Sequence, residues 1–314
     1  MIKRGKVTVF GSFVVDLMSY APHVPVAGET VRGGPFKAGP GGKGSNQGIA
    51  AQKAGADVTM ITKLGKDSFA DFAWDSFKGC GMKTDFIYTD PDNGTGIALI
   101  IVDEHSAQNI IVVAPGACAN ITQAEVDRAK NEIASSDVLL TQLETNIDAM
   151  YSAIDIAFRN NVKVILNPAP YQPFEESLFK KIYAITPNET EAEALSGIKT
   201  DTMEGIVKSA AYFREKGVKN AIITLGKKGV YISSDEFTGM IDAIDVGKVI
   251  DTTGAGDAFN GGFAAGIAEG RGIRAAALFG CAVSWISVTR VGTAPSMPSR
   301  DEVMEVINKF HLEV

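Results

Sequence analysis

Cysteine is scarce in this chain of 314 residues, and its scarcity is informative. Cys80, Cys118 and Cys281 are far apart, odd in number, and form neither a C-x-x-C pair nor a zinc-ligand spacing. A disulfide scaffold and a zinc centre are therefore not expected, and the three read as reduced core thiols. Long apolar runs are missing as well. No segment approaches the roughly 18 to 20 uninterrupted apolar residues of a membrane-spanning helix. The apolar stretch near the start is interrupted by Asp16, and no small-residue cleavage site follows it. A buried first strand in a cytoplasmic protein is the expectation. There is also no block of basic residues: 30 Lys and Arg stand against 37 Asp and Glu, for a net charge of −7. That balance argues against nucleic acid or an anionic membrane as partner, so any phosphate site has to be local. Repeats, low-complexity tracts and linkers are absent too, which points to a single domain over 1–314.

What is present is 45% hydrophobic residues, ample for one large core, arranged as short β-branched runs alternating with segments of helical period. That alternation predicts an α/β/α sandwich around a mostly parallel sheet. Strands are predicted at 7–10, 58–62, 138–140, 162–166, 182–185, 221–225 and 229–233. Helices are predicted at 43–54, 68–78, 122–134, 147–160, 189–195 and 204–216, with Gly79 and Gly217 as terminators. After Asp251 the pattern turns helical, at 256–268, 274–288 and 300–310. Two stretches break the alternation, about 14–39 and 94–114. They read as hairpin strands without helices, forming a small β-sheet lid.

The chemistry concentrates at 251–263, DTTGAGDAFNGGF. Gly254, Ala255 and Gly256 are small enough for backbone N–H groups to converge on an anion, and a predicted helix starts behind them with its positive end toward that anion. Asp257 sits inside this anion-binding element, where phosphate binding alone has no use for a carboxylate. It reads as a general base for phosphoryl transfer, or as an ordinary first-turn acid stabilising the helix dipole. The earlier cluster Gly39, Gly41 and Gly44 satisfies G-x-G-x-x-G, but no clear buried strand precedes it and no acidic residue closes a dinucleotide unit. A P-loop fails as well, because Gly44 follows Lys43 where a Ser or Thr should stand.

Together these segments resemble the ribokinase family of carbohydrate kinases. Residues 251–263 are similar to its C-terminal signature, and KAGPGGKGSNQGIAAQKAGA at 37–56 to its N-terminal glycine signature. Further blocks follow in family order: GSFVVD, GET, QLE, NPAP, TPNETEAE, TLGKKG and VTRVGTAPSMP. The resemblance implies a ribokinase-like fold and ATP-dependent phosphorylation of the 5-hydroxyl of a pentose, with D-ribose the leading candidate. It implies Asp257 as base and Gly254, Ala255 and Gly256 as anion hole. Asp16, Gly41, Gly42, Lys43, Asn46 and Glu144 are the implied sugar ligands. Asn188, Thr224, Leu225, Gly226, Lys227, Lys228, Gly229 and Gly256 are the implied ATP contacts. Glu191 would organise magnesium through water, or simply cap a helix with Asn188. Asp251, Thr253, Ser287, Arg290, Gly292 and Ser296 fall where the family holds potassium. A lid with exposed strands also needs a cover, so a homodimer joined through the lids is expected.

Two positions depart from the family pattern. Val14 stands where many members carry Asn, so a hydroxyl-reading amide is missing and a 2-deoxysugar kinase becomes the competing reading. Cys281 stands near the adenine where Asn or His is common. Another kinase of the same group, for fructose or a nucleoside, is a further alternative, and a sugar- or nucleotide-binding regulator without catalysis and a nicotinamide oxidoreductase remain as readings of other classes.

Overall fold

A computed structural model describes residues 4–106 and 108–314. Strand β1 (Lys6–Phe10) leads through a short turn into β2 (Val14–Ala21), and β3 (Phe36–Gly41) feeds α1 (Lys43–Lys53). Then come β4 (Asp57–Gly65), α2 (Ala70–Cys80), β5 (Lys83–Asp90), β6 (Gly96–Asp103), β7 (Asn109–Ala114) and α3 (Gln123–Ala134). The central units follow as β8 (Val138–Thr141), α4 (Ile147–Arg159), β9 (Lys163–Leu166), β10 (Ala184–Ile185), α5 (Glu189–Ser196), α6 (Met203–Glu215) and β11 (Asn220–Thr224). A meander of β12 (Val230–Ser234) and β13 (Thr238–Ile241) precedes α7 (Ala255–Ala268), α8 (Ile273–Ser287) and α9 (Arg300–Lys309).

The large sheet runs β13-β12-β11-β10-β9-β8-β1-β4-β5. All pairings are parallel except β11 with β12 and β12 with β13. Its inner strands are apolar on both faces, as a covered parallel sheet requires. Val7, Val9, Val58, Met60, Val138 and Leu140 face a core shared with α1, α2, α7, α8 and α9. Phe10, Ile61 and Leu139 face a second core shared with α3, α4 and α6. These two cores make the three layers. Strand order reverses beside β1, with β4 and β5 on one side and β8 onward on the other, so a crevice opens at the strand ends there, where open α/β sheets bind their ligands.

The four-stranded lid has the order β3-β2-β6-β7. Its two hairpins pair antiparallel internally and join in parallel through β2 and β6. Two strands escaped the sequence reading, β5 and β13. They are the outer strands of the large sheet and are only partly buried, so neither carries the continuous apolar run of a central strand. Gly79 does not end its helix. It lies within α2, and Gly81, at φ 75°, supplies the left-handed cap. No helix among the described residues is long and apolar enough to cross a membrane. Cys118 and Cys281 are buried and Cys80 is half-buried, all three as free thiols.

Candidate active site

Asp257 opens the buried helix α7, whose N-cap Gly254 adopts φ 77°, a left-handed conformation natural only to glycine. The carboxylate is inside the protein, 8% exposed. Asn46 Nδ2 donates to its Oδ2 at 3.0 Å, and Gln47 Nε2 donates to its Oδ1 at 3.0 Å. Burial pushes the Asp257 pKa up, while Lys43 and these two amides pull against it. The first N–H groups of α7 have no carbonyl one turn back to bond. That of Ala255 turns to Thr252 O at 3.2 Å, so this member of the expected anion hole is already engaged within the loop. A methyl group added to Gly256 would enter open space.

Several of the expected sugar ligands lie near Asp257: Asn46 bonds it, and Lys43, Glu144 and Asp16 interact with its charge. Asp16 projects from β2 toward β3, and a Cβ on Gly41 would overlap its carboxylate, so glycine is what lets the two strands hold it. Burial, then the Glu144 and Asp257 charges, raise Asp16 to about 6. Glu144 Oε2 accepts the backbone N–H of Lys43 at 2.9 Å and the hydroxyl of Ser12 at 2.5 Å. This carboxylate caps α1, whose N-cap Gly42 has no side chain to do so. Burial opposes the Lys43 charge, but Asp257, Glu144, Glu191 and Asp16 outweigh it, so its pKa is raised. The four carboxylates together favour the charged form of Lys43. Val14 is buried and packs with Ala98 and Ile100 within the lid sheet.

A cavity of about 1070 Å³ lies against the loop at the start of α7. Gly256, Asn188, Thr224, Gly226, Lys227, Gly229 and Cys281 line it, as expected of a nucleotide site. Two of the expected ATP contacts are elsewhere. Leu225 is buried in the second core, and Lys228 pairs with Glu189 at 3.8 Å. Alternate side chains of a strand point to opposite faces, so not every side chain of such a contiguous motif can face one cavity. Much of the wall comes from a loop that carries no recognisable motif, including Ala243, Ile244, Val246 and Val249, together with Trp285 of α8.

Asn188 and Glu191 form a reciprocal capping box at α5, in which Glu191 Oε2 accepts the Asn188 N–H at 2.9 Å. The plainer reading of this pair is thus realised, and burial also raises the Glu191 pKa. No cluster of three or more acidic, His or Cys side chains suited to a metal occurs among the described residues. A magnesium ion carried by phosphates and water, with one carboxylate nearby, does not require one. Asp251 joins the two segments expected to hold potassium: Oδ2 accepts the Gly292 N–H and Oδ1 the Thr253 N–H, both at 2.9 Å. The hydroxyls of Ser287 and Ser296 donate to the Ser284 and Thr293 carbonyls, and Arg290 turns away to pair with Glu302. Of this set, only backbone oxygens and Asp251 are suited to a large monovalent cation.

Four polar residues went unnoticed in the sequence: Ser12, Gln47, Gln142 and Asn167. Ser12, Gln47 and Gln142 are 0% exposed and Asn167 is 7% exposed. Each lies inside or beside a quoted motif, but nothing in a sequence distinguishes a buried amide from an exposed one.

The model of the pfkB family of carbohydrate kinases matches residues 4–300. A ribokinase of Haemophilus influenzae is 40% identical over 304 residues, 97% of this chain and 99% of that protein. A deoxyribokinase of Salmonella typhimurium is 35% identical over 303 residues, 96% of this chain and 98% of its own. Among solved structures, Arabidopsis thaliana ribokinase complexed with ribose and ATP superposes with a TM-score of 0.87 at 27% identity, covering 98% of this chain and 99% of that one.

Proposed function

The chain belongs to the pfkB family of carbohydrate kinases, and from that premise we propose that it transfers the γ-phosphate of ATP to the 5-hydroxyl of D-ribose, giving D-ribose 5-phosphate. One observation carries this reading. Asp257 is bonded to Asn46 on the sugar side, while its neighbour Gly256 lines the nucleotide cavity. The carboxylate therefore stands where an alcohol and a terminal phosphate would meet.

In this reading Asp16, Glu144 and the Asn46 amide fix the sugar by its hydroxyls. Asp257 accepts the proton of the primary hydroxyl as its oxygen attacks phosphorus. The N–H groups at the start of α7 receive the shifting negative charge. Lys43 supplies fixed positive charge, and the lid excludes water, which limits hydrolysis of ATP. A magnesium ion would be held by the phosphates with Glu191 acting through water, and would neutralise charge on the transferred group. Potassium would sit among the carbonyls near Asp251, Thr253, Ser287, Gly292 and Ser296, and order the anion loop. A lid-to-lid homodimer follows from the open apolar edge at β7.

A second reading, phosphorylation of 2-deoxyribose, draws on the apolar Val14 surface and the deoxyribokinase relative. The decisive test of the kinase chemistry is Asp257→Asn. Turnover should fall about 10²- to 10⁴-fold, with the ATP dissociation constant within about threefold of wild type by calorimetry. Turnover near wild type rejects the assignment of the base.

A further inference from the structure

Gln47 makes three buried hydrogen bonds and has no access to solvent. Its Nε2 donates to Asp257 Oδ1 and to Asn167 Oδ1, both at 3.0 Å, and its Oε1 accepts from Gln142 Nε2 at 2.6 Å. Both amide hydrogens are thereby used. The flipped amide would set an oxygen against the Asp257 carboxylate and the Asn167 oxygen, and a donor against the donor of Gln142. Asn167 is itself locked, because its Nδ2 donates to Thr186 O at 3.0 Å. Packing enforces the same arrangement. Gly261, one turn beyond Asp257 on α7, lies so close to α1 that a Cβ there would overlap the Gln47 carbonyl. The backbones can approach only because position 261 has no side chain, and this approach brings the Gln47 amide onto Asp257.

The two donors on Asp257 are not equivalent. Asn46 borders the sugar side, and its own Oδ1 has no partner, so it can exchange bonds when hydroxyls arrive. Gln47 has nothing to exchange with. From this geometry we propose that Gln47 is the positioning residue of the base, holding Asp257 Oδ1 with Gln142 and Asn167 behind it so that Asp257 presents Oδ2 to the sugar hydroxyl. The inference rests on Asp257 being the base. A hydrogen-bond donor to the ionised carboxylate also offsets the cost of its burial. Lys43 on α1 acts in the same direction, whereas Glu144 after β8, Asp16 on β2 and Glu191 on α5 oppose it.

The test is steady-state kinetics and the pH profile of kcat/KM for Gln47→Glu and Gln47→Leu beside Asp257→Asn. Gln47→Glu keeps the shape and the bond from Gln142, but faces Asp257 with a second carboxyl. The expectation is a kcat lower by about 10- to 100-fold, KM for both substrates within about threefold, and an acidic limb moved upward by about one pH unit or more. Gln47→Leu should move the limb in the same direction, and if it fails to fold, Gln47→Glu carries the test alone. A soluble Gln47 variant with a wild-type kcat and acidic limb overturns the inference, as does a raised sugar KM at unchanged kcat. A role confined to packing would lower the melting temperature without moving the limb, and that result also overturns it. If Asp257→Asn is inactive while Gln47→Glu behaves as wild type, only the positioning role falls. If Asp257→Asn stays active, the base assignment beneath it falls.

Discussion

The backbone N–H of Lys43 donates to Glu144 Oε2 across 101 residues of sequence, tying the start of α1 to the end of β8. One carboxylate thus holds in place the helix that delivers Lys43, Asn46 and Gln47, and is itself among the expected sugar ligands. Glu144→Ala should remove both functions: about 1 kcal/mol of capping stability in urea denaturation, and a sugar KM raised about tenfold or more with the ATP KM unchanged. Glu144→Gln keeps an acceptor for the cap. It should recover most of the stability but little of the sugar affinity, since it forfeits charge-assisted bonds. Equal losses in the two variants would show that the cap and the ligand role are not separable.

Most of the layered fold was legible because a sheet buried on both faces leaves continuous apolar runs. β8 reads VLLT and β9 KVIL, and both are found where the pattern puts them. β5, KTDFIYTD, was not legible, because an outer strand needs only one apolar face. In the site, Asp257 and the glycines beside it stand out through the whole run DTTGAGDAFNGGF, since an acid in the first turn of a helix is by itself ordinary. Gln47 and Asn167 do not, because their meaning lies in burial and in residues 120 positions apart. The apolar half of the nucleotide wall was hidden for a related reason: shape complementarity to a flat ring is met by many apolar sequences and leaves no motif.

Asp16 provides a pH signature. Its pKa in the folded protein is about 6, against an ordinary 3.8, so between those values the folded state binds the proton more tightly than the unfolded chain. By linkage the Asp16 contribution is fully present below pH 3.8 and is lost as pH rises through about 6. Asp16→Asn has no such dependence. The melting temperature of Asp16→Asn minus that of wild type should therefore climb from about pH 4 to about pH 6 and then level off. A constant difference across that range would contradict the shift. Sugar KM should also rise below about pH 6 in the wild type, where protonation removes an acceptor from the pocket.

Asp251 closes the proposed cation loop by accepting the Gly292 and Thr253 N–H groups. Burial opposes its charge, but those bonds outweigh it and hold its pKa below the usual range. If potassium binds among the neighbouring carbonyls, the anion loop that starts at Gly254 should depend on it. Replacing choline by potassium at matched ionic strength should raise wild-type kcat about tenfold, within the usual range of coupling between sites, and Asp251→Ala should respond little. A wild-type rate indifferent to potassium would remove the cation from the scheme.

The lid edge leads to a prediction about assembly. Ile110, Ile111, Val112 and Val113 on β7 are each about half exposed, with values from 48% to 58%. An open apolar edge strand of this kind pairs with another unless blocked. Light scattering at micromolar concentration should give a dimer, and Val112→Lys, which places a charge on that edge, should give a monomer with a raised sugar KM. A wild-type monomer would show that the lid closes without a partner.

A substitution at Val14 tests the choice between ribose and 2-deoxyribose. It pairs with Gly41 and Gly96 in the lid and its side chain packs on Ala98 and Ile100, so the pocket offers no amide there. An Asn at this position would bury a polar group, costing about 1 to 3 kcal/mol when nothing bonds it. A ribose hydroxyl could satisfy that amide, whereas the 2-deoxy sugar offers one fewer hydroxyl with which to do so. Val14→Asn should therefore lower the stability of the free protein and raise the ratio of kcat/KM for ribose over 2-deoxyribose by about 10- to 100-fold. Because the ratio compares two sugars in one protein, any general damage from the substitution cancels. An unchanged ratio would mean that the discriminating contact lies elsewhere, with Asp16, Glu144 and the Asn46 amide as the remaining groups proposed to read the sugar hydroxyls.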